Sequence, residues 1–380
     1  MTFGMKCPKC GLMQLAGPSC KSCGAPLGGP ARPPTSTARA PVTSPAPPPR
    51  PSARPRAETK RSPLEGEAAQ SRRLTFHGAG GSLFGIHVVN MFLTVITLGI
   101  YYFWGKVRVR RYLLSQTEFE GDRFAYHGTG KELLIGFLKA MLVFGVPLIL
   151  LGIIQELLPG PAIKLLAGVL TYAIVMVLIP SAMVGARRYR LSRSSWREIR
   201  FSFRGRTLDF IKLFVVGSLL TGITLGLYYP IFETRRYGFL VSHSYVGNEK
   251  FHFDGNGRDL FGSFLLAIVL FFPTLGLYLF WFLARKQRYF WEHTSFAGSR
   301  FRSTVTGGRL LLLTLGNLLL LMVTLGLGWP WVMIRNVRFA FKYLTLEGPL
   351  GLAGIQQEAQ AASATGDALA GFLDVGLDLG

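Results

Sequence analysis

The sequence has few charged residues, and acidic residues are the scarcest of them. Only 16% of the 380 residues are charged, whereas soluble domains average about 25%. Lysine and arginine number 42 against 20 aspartate and glutamate residues, a formal net charge of +22, and the mean hydropathy is +0.33. These values exclude a mainly soluble protein. Because the basic residues flank apolar runs, they indicate contact with an anionic membrane surface rather than with nucleic acid.

Recognisable catalytic constellations are also missing. The sequence contains no Ser-His-Asp arrangement, no paired carboxylates and no His-x-x-x-His pattern, so it predicts no enzyme activity. The string Gly128-Thr129-Gly130-Lys131-Glu132 lacks the spacing of a phosphate-binding loop, and Glu132 stands where that loop needs a hydroxyl. We expect a turn and a helix N-terminal cap there instead.

Cysteine is rare and is confined to the first 28 residues. Two Cys-x-x-Cys pairs, each followed by glycine, contain all four: Cys7, Cys10, Cys20 and Cys23. Four thiolates at this spacing can surround one Zn²⁺ tetrahedrally. The pattern predicts a small structural zinc ribbon over residues 1–28, whose reduced thiols suit a cytoplasmic position. A redox dithiol pair is the alternative, but nothing nearby has a thioredoxin-like pattern.

Composition divides the rest of the chain into three regions. Residues 29–73 are rich in proline, alanine and arginine and are predicted to form a disordered linker. Residues 74–348 are apolar with basic interruptions, and residues 349–380 form an acidic tail rich in glycine and alanine. Met1 to Gly11 lacks the apolar stretch of a signal peptide, so we expect no export by such a signal.

A short phrase recurs in the apolar region. Thr97-Leu98-Gly99-Ile100-Tyr101 returns in similar form at 224–228, 274–278 and 324–328, each time after an apolar run. Aromatic residues and glycines precede each run and indicate a short strand and turn. Residues 124–200 lack the phrase and have two apolar runs separated by Pro159-Gly160-Pro161. The pattern predicts five repeated helical units, one to five, near 76–123, 124–200, 201–250, 251–300 and 301–348.

Two membrane topologies are compatible with this pattern. In the first, the apolar runs of units one, three, four and five are single spans, which makes six crossings with the two runs of unit two. In the second, the Thr-Leu-Gly phrase is a bend and every unit is a helical hairpin, so all basic segments share one side. We favour the hairpins because they explain the charge and the repeat together. They place both the zinc ribbon and the acidic tail in the cytoplasm.

Polar side chains in and beside the apolar runs are the candidate site residues. His87, Asn90 and Asn317 could form a polar path, although hydrogen bonding between helices is the competing interpretation. Arginines that follow the runs are candidate contacts for anionic lipid headgroups, and a role as topology determinants is equally compatible. These arginines are Arg110, Arg111, Arg187, Arg188, Arg235, Arg236 and Arg288.

Several strings resemble the YjgN-like family of bacterial inner-membrane proteins. They are the turn at 97–104, the segment 124–140 and the ending from Gly366 to Leu379. The resemblance implies a multi-pass inner-membrane protein from a family without an established activity, so it transfers no functional residue. We expect an all-α integral membrane protein with an added zinc ribbon. Its expected role is that of a scaffold, or of a lipid- or partner-binding protein whose ribbon docks a cytoplasmic protein; a transporter or channel is the alternative.

Overall fold

The computed structural model describes residues 4–6, 13–15, 71–158, 160–352 and 354–357. The chain divides into two compact regions, Met1–Lys60 and Arg61–Gly380. In the first region, strands β1 (Gly4–Lys6) and β2 (Met13–Leu15) pair antiparallel. The predicted zinc ligands Cys7, Cys10, Cys20 and Cys23 lie outside the described residues. Most of the predicted linker and tail also lie outside them.

In the second region, each unit contains a first helix and a second helix that pack against each other. In chain order the pairs are α1 (Gly80–Ile96) with α2 (Tyr102–Ser115), α3 (Gly130–Ala140) and α4 (Val146–Leu157) with α5 (Pro161–Ser192), α6 (Thr207–Ile223) with α7 (Tyr229–Ser242), α8 (Phe261–Val269) with α9 (Leu279–Glu292), and α10 (Gly307–Val323) with α11 (Trp329–Lys342). A π-helical turn joins α3 to α4, and a 3₁₀ turn precedes α8. The two helices run antiparallel, since Asn90 contacts Gly105 near the bend and Ala79 contacts Tyr112 far from it.

The strands of the second region form one 11-stranded sheet. They are β3 (Ser71–Arg72), β4 (Thr75–Phe76), β5 (Thr117–Phe119), β6 (Asp122–Tyr126), β7 (Ser194–Trp196), β8 (Ile199–Phe203), β9 (Ser244–Val246), β10 (Glu249–Phe253), β11 (Thr294–Phe296), β12 (Ser299–Ser303) and β13 (Leu344–Glu347). Neighbours pair antiparallel in the order β3-β13-β12-β11-β10-β9-β8-β7-β6-β5-β4. The all-α prediction is therefore wrong. The aromatic lead-ins are strands, as their alternation indicated, and each pairs antiparallel with the strand at the end of its own unit.

The sheet returns to its starting point because its two end strands are almost consecutive in the chain. Only Arg73 and Leu74 separate β3 from β4, yet these strands lie at opposite ends of the strand order. Arg72 of β3 pairs in register with Leu346 of β13 and forms a 3.3 Å ion pair with Glu120, in the turn between β5 and β6. The units therefore form a ring in which unit five lies beside unit one.

The helices follow the same ring through contacts of tryptophan with glycine. A Cβ atom added to Gly130 at the start of α3 would lie 2.5 Å from the Trp104 ring of α2. The corresponding Gly80 of α1 would approach the Trp331 ring of α11 to 2.3 Å. Because no other residue has so small a side chain, glycine allows the second helix of one unit to lie against the first helix of the next. The contact between α11 and α1 closes the helical ring.

The Thr-Leu-Gly phrase forms the bend that the hairpin topology predicts. In unit one, the Gly99 amide donates to the main-chain carbonyl five residues back, and Leu98 and Gly99 have φ angles of 49° and 93°. The Thr97 hydroxyl donates to the Leu93 carbonyl at 2.7 Å and accepts from the Tyr101 amide at 2.9 Å. The same bonds recur in units three, four and five. This Schellman-type ending explains the phrase: glycine tolerates the left-handed backbone, and threonine bridges the helix end to the next helix.

Replacing Thr224 with valine is expected to lower the free energy of unfolding by about 1–2 kcal/mol, because the variant leaves an amide of the bend without its partner. The Thr224 hydroxyl donates to the Leu220 carbonyl and accepts from the Tyr228 amide at 3.0 Å. Thermal unfolding in lipid nanodiscs measures the loss. Thr221→Val is the matched control, since the Thr221 hydroxyl donates only to the Gly217 carbonyl within its helix. Equal losses in the two variants would contradict the bridging role.

Unit two differs from the others in length. Gly130–Leu157 and Pro161–Ser192 are the two helical segments, among the described residues, that are long and apolar enough to cross a bilayer by length and composition. At 1.5 Å per residue, the 32 residues of α5 extend over about 48 Å, whereas the 17 residues of α1 extend over about 25 Å. Unit two therefore reaches farther from the sheet than its neighbours.

Candidate functional site

Contacts between neighbouring units involve one position in the second helix of each unit. This junction position lies six residues before the first residue of the strand that follows the helix. In three units this residue is an arginine that donates to a main-chain carbonyl of the next unit. The bonds run from Arg111 to Gly128 at 3.4 Å, from Arg188 to Gly205 at 2.7 Å and from Arg338 to Gly78 at 2.7 Å. The last bond joins unit five to unit one, so one contact serves consecutive and ring-closing junctions alike. Two predicted lipid contacts, Arg111 and Arg188, thus have partners within the protein.

Unit three has glycine at this junction position. Gly238 lies six residues before β9 and 13 residues before Phe251, the spacings that Arg188 has to β7 and Phe201. The Arg235-Arg236-Tyr237 triplet resembles Arg187-Arg188-Tyr189 but does not mark this position, because Arg236 lies eight residues before β9 whereas Arg188 lies six residues before β7.

A cavity of about 630 Å³ lies at this junction, between α7 and the chain that leads into α8. Gly238 and Gly255 both line it, and these are the positions that the arginine and its carbonyl partner occupy at the three junctions described above. Polar groups converge on the same space from both units. They belong to Tyr228, Thr234, Arg235, Asn256 and Arg258. No described residue donates a hydrogen bond to the Gly255 carbonyl.

The cavity is electropositive. The Arg235 guanidinium donates to the Tyr228 hydroxyl at 2.8 Å and lies 6.0 Å from the centre of that ring. The Arg258 side chain is exposed, and its amide is bonded to the Asn256 side chain. Among the described residues, no carboxylate lies within ion-pair distance of Arg235 or Arg258. Two positive charges therefore face the cavity without a neutralising acid from the described part of the chain.

Arg235 also belongs to a set of arginines at one level of the ring. Each stands 11 residues after the threonine of its bend and is exposed. The set, called the arginine belt, comprises Arg108, Arg235, Arg285 and Arg335. Sequence reasoning identified Arg235 alone, although the constant spacing from the bend was available as a signal. Since each lies six residues after the start of its second helix, these side chains stand at the same level and on the same face of their helices.

A second charged cluster is buried between units three and four. Glu233 of α7 pairs with Arg236 at 2.6 Å and with Lys286 of α9 at 3.4 Å. Lys286 also reaches the Tyr229 hydroxyl, at 3.5 Å. The predicted lipid contact Arg236 therefore pairs with a carboxylate inside the ring. Arg187, another predicted contact, donates to the Ser244 hydroxyl in β9 of unit three.

The residues predicted for a polar path are not brought together. Asn90 donates to the Gly105 carbonyl at 3.2 Å, and Asn317 donates to the Asn336 side chain at 2.7 Å. Both bonds join the two helices of a single unit, which is the competing interpretation. His87 donates to the Leu83 carbonyl of its own helix. Neither asparagine nor His87 lines the cavity at the junction of units three and four.

The remaining predicted residues carry less information. Arg110 and Arg288 are half-buried on α2 and α9. Within the described ranges, no group of three or more His, Cys, Asp or Glu residues could hold a metal ion. A second, apolar cavity of about 360 Å³ lies between α4 and α5 and contains no ionisable group.

Comparisons with known proteins identify relatives for the second region. The family model described as "Bacterial protein of unknown function (DUF898)" matches residues 71–280 and 276–372. Inner membrane protein YjgN of Salmonella typhimurium is 34% identical over 131 residues, and that of Escherichia coli O157:H7 is 37% identical over 133 residues. The matches cover 34% and 35% of this chain and 31% of each relative, so the chain aligns with about a third of their length. No solved structure matches.

Proposed function

Because this chain belongs to the DUF898 family of bacterial proteins of unknown function, we propose that it is an inner-membrane scaffold that binds lipid. Its relatives are named inner membrane proteins. In this proposal, five copies of one helical hairpin enter the bilayer from the cytoplasmic side. The sheet stays at the membrane surface, and the arginine belt holds anionic headgroups. The N-terminal region carries a zinc ribbon that docks a cytoplasmic protein.

The observation that carries the proposal is the exposure of leucine at four bends. Leu98, Leu225, Leu275 and Leu325 are 93%, 93%, 91% and 91% exposed. Leucine in a left-handed turn is strained, and full exposure of its side chain to water adds the cost of hydrating it. A hydrocarbon environment removes the cost of exposing the leucine side chain to water. The bend is also suited to lipid because its amides are bonded within the bend itself, as the Gly99 and Tyr101 amides show.

The arginine belt sets the depth of the short hairpins. Six residues separate Tyr102, where α2 begins, from Arg108, which corresponds to about 9 Å along the helix, less than half of a hydrocarbon core of about 30 Å. With the belt at the headgroups, the four leucine bends lie within the hydrocarbon of the nearer leaflet. The hairpin of unit two is long enough to cross, and Gln155 and Glu156 near its tip then reach the opposite surface.

The sheet supports entry of the hairpins from the cytoplasmic side. It brings the basic segments of all five units to one end of the molecule, and β3 and β13, the first and last strands of the ring, are paired there. An excess of lysine and arginine marks the cytoplasmic side. The region before β3 and the tail after β13 therefore both start in the cytoplasm. This position suits a zinc ribbon with reduced thiols at Cys7, Cys10, Cys20 and Cys23.

The transporter alternative has less support. A transport path needs polar groups that meet along a water-filled route. The asparagines proposed for such a path, Asn90 and Asn317, are instead bonded to the partner helix of their own unit. Their bonds stabilise the hairpins, which a scaffold also requires.

Photo-crosslinking tests the depth of the bends. A benzophenone amino acid at position 225 is expected to crosslink to lipid acyl chains in cell membranes. The same amino acid at position 123, exposed on β6 in the sheet, is the matched control and is expected to give no acyl-chain adduct. Adducts with water-soluble proteins at position 225, or equal lipid adducts at both positions, would contradict the proposal.

Neutralising the arginine belt is expected to reduce the anionic lipid that copurifies with the protein by about tenfold, if each arginine contributes roughly 1 kcal/mol shared over several lipids. The variant replaces four arginines with glutamine: Arg108, Arg235, Arg285 and Arg335. The control replaces four exposed arginines of the sheet region: Arg73, Arg123, Arg200 and Arg300. Lipid mass spectrometry measures the difference. An equal loss in the control would mean that net charge alone is responsible.

Deleting residues 1–28 tests the docking role of the ribbon. We expect the full-length chain to retain about one zinc ion and a cytoplasmic protein through purification, and the shortened chain to lose both while its bound lipids remain. Cys7→Ser with Cys10→Ser is the variant matched in length. Identical protein partners in all three preparations would contradict the docking role.

A further inference from the structure

The junction between units three and four differs from the others by one missing side chain. At three other junctions an arginine donates to a glycine carbonyl, as Arg188 does to Gly205. Here Gly238 replaces the arginine, and Gly255, whose carbonyl corresponds to those acceptors, lines a cavity instead. The space and the acceptor are both present, so this junction can accept a group from outside the protein.

Charge defines what that group can be. Arg235 and Arg258 line the cavity from opposite units, and the described residues place no carboxylate beside either. A phosphate diester is the anion that suits two guanidinium groups, because each guanidinium can donate two parallel hydrogen bonds. The Gly255 carbonyl requires a donor in addition. An occupant that carries both a phosphate and a neutral hydroxyl satisfies all three groups.

The position of the cavity indicates the source of the phosphate. Arg235 is a member of the arginine belt, which the proposed function places at the headgroup level of the bilayer. The inference rests on that function. Leu227 precedes the cavity-lining Tyr228 in the chain, and Phe261 follows the 3₁₀ turn that begins at the cavity-lining Gly257; both side chains are exposed. Acyl chains of a lipid held by its headgroup can extend along this surface.

We propose that the cavity at the junction of units three and four is a specific site for an anionic glycerophospholipid with a phosphoglycerol headgroup. The phosphate accepts hydrogen bonds from Arg235 and Arg258, and a hydroxyl of the terminal glycerol donates to the Gly255 carbonyl. The lipid then joins the two units where the protein has no arginine to do so. The three junctions that an arginine spans close with a protein side chain and need no lipid.

Native mass spectrometry of the full-length protein with added lipid tests the site. Phosphatidylglycerol is expected to fill one high-affinity site, about tenfold more tightly than phosphatidylcholine or phosphatidylethanolamine. Phosphatidic acid, which lacks the headgroup hydroxyl, is expected to bind more weakly than phosphatidylglycerol. Arg258→Gln is expected to remove the preference. Arg108→Gln is the matched control: Arg108 belongs to the belt, but its junction is closed by Arg111.

A second variant blocks the cavity rather than discharging it. Gly238→Arg introduces the side chain that other junctions use, and it is expected to abolish the high-affinity site while adding a positive charge. Its Cβ atom would lie 2.8 Å from the Phe253 ring, which has to turn aside. Arg258→Gln removes a positive charge and Gly238→Arg adds one. If both variants lose the lipid, binding depends on a defined site and not on general electrostatic attraction between the lipid and the protein.

Three results would overturn the proposal. The first is an unchanged preference for phosphatidylglycerol in both Arg258→Gln and Gly238→Arg. The second is an equal loss in Arg108→Gln. The third is displacement of the lipid by inorganic phosphate at the same concentration, which would identify a soluble anion as the ligand. If position 225 still crosslinks to acyl chains, any of these results removes the site and leaves the proposed function standing.

Discussion

Replacing Glu233 with glutamine is expected to lower the free energy of unfolding by about 3–5 kcal/mol, the range measured when one partner of a buried ion pair is removed. Glu233 is only 8% exposed and balances Arg236 and Lys286 at 2.6 and 3.4 Å. Glutamine has the same size but no charge, so two partly buried cations lose their counter-charge. Because Glu233 and Lys286 belong to neighbouring units, the damage is expected at the junction of units three and four. Denaturant unfolding in mixed micelles measures the loss.

An exposed ion pair provides the control for Glu233. Asp254 pairs with Arg300 at 2.8 Å, but both side chains are more than half exposed, so Asp254→Asn is expected to cost less than about 1 kcal/mol. Adding Lys286→Gln to Glu233→Gln removes one of the stranded cations and is expected to recover part of the lost stability. If Glu233→Gln costs no more than Asp254→Asn, the cluster does not hold the two units together.

Replacing Gly257 with alanine is expected to lower the free energy of unfolding by about 3 kcal/mol, at the upper end of the usual cost of overpacking. A Cβ atom there would lie 2.4 Å from the Ile231 Cα and 2.8 Å from the Pro230 carbonyl oxygen. Both are main-chain atoms of α7 and cannot rotate away as a side chain can. The start of α8 therefore has to move off α7, which should also enlarge the neighbouring cavity.

Gly262 is the control for Gly257, since it lies one turn farther along and a Cβ atom there meets nothing within 4 Å. Gly262→Ala is expected to be neutral or to stabilise by up to about 1 kcal/mol, because alanine is the better helix former. Thermal unfolding and proteolysis of both variants compare them directly. A Gly257→Ala protein as stable as Gly262→Ala would show that α8 is not pressed against α7.

Local patterns in the sequence predicted the parts of the fold that depend on neighbouring residues. Thr-Leu-Gly identified the bends, because a left-handed glycine and a bridging threonine are local requirements. The helix N-terminal cap predicted near Gly130 is present and is a capping box, with Thr129 and Glu132 bonded reciprocally. Alternating aromatic residues indicated strands. The sheet itself was missed, because each lead-in pairs with a strand at the far end of its unit, as Phe124 does with Trp196 and Phe201 with Val246.

The site residues were predicted unevenly for a related reason. Arg235 was a candidate lipid contact and does line the cavity. Arg258 was not, because nothing in its local sequence shows that it faces α7. Arg236 and Arg187 were also candidate lipid contacts. In the structure, however, Arg236 pairs with the Glu233 carboxylate and Arg187 donates to the Ser244 hydroxyl. Charge pattern locates a basic surface, but it does not tell an exposed arginine from one enclosed by other units.

The sequence by itself determined that this protein is apolar and basic, and it favoured a turn at each of four Thr-Leu-Gly phrases, since hydropathy and turn chemistry act over a few residues. Only the tertiary structure decided that the units close into a ring and that Gly238 leaves a cavity at one junction. Both depend on contacts between residues far apart in the chain, such as Arg338 with Gly78. A local sequence pattern does not specify which distant unit packs beside it. The absence of an arginine at Gly238 is therefore recognised only by comparison with the junctions that have one.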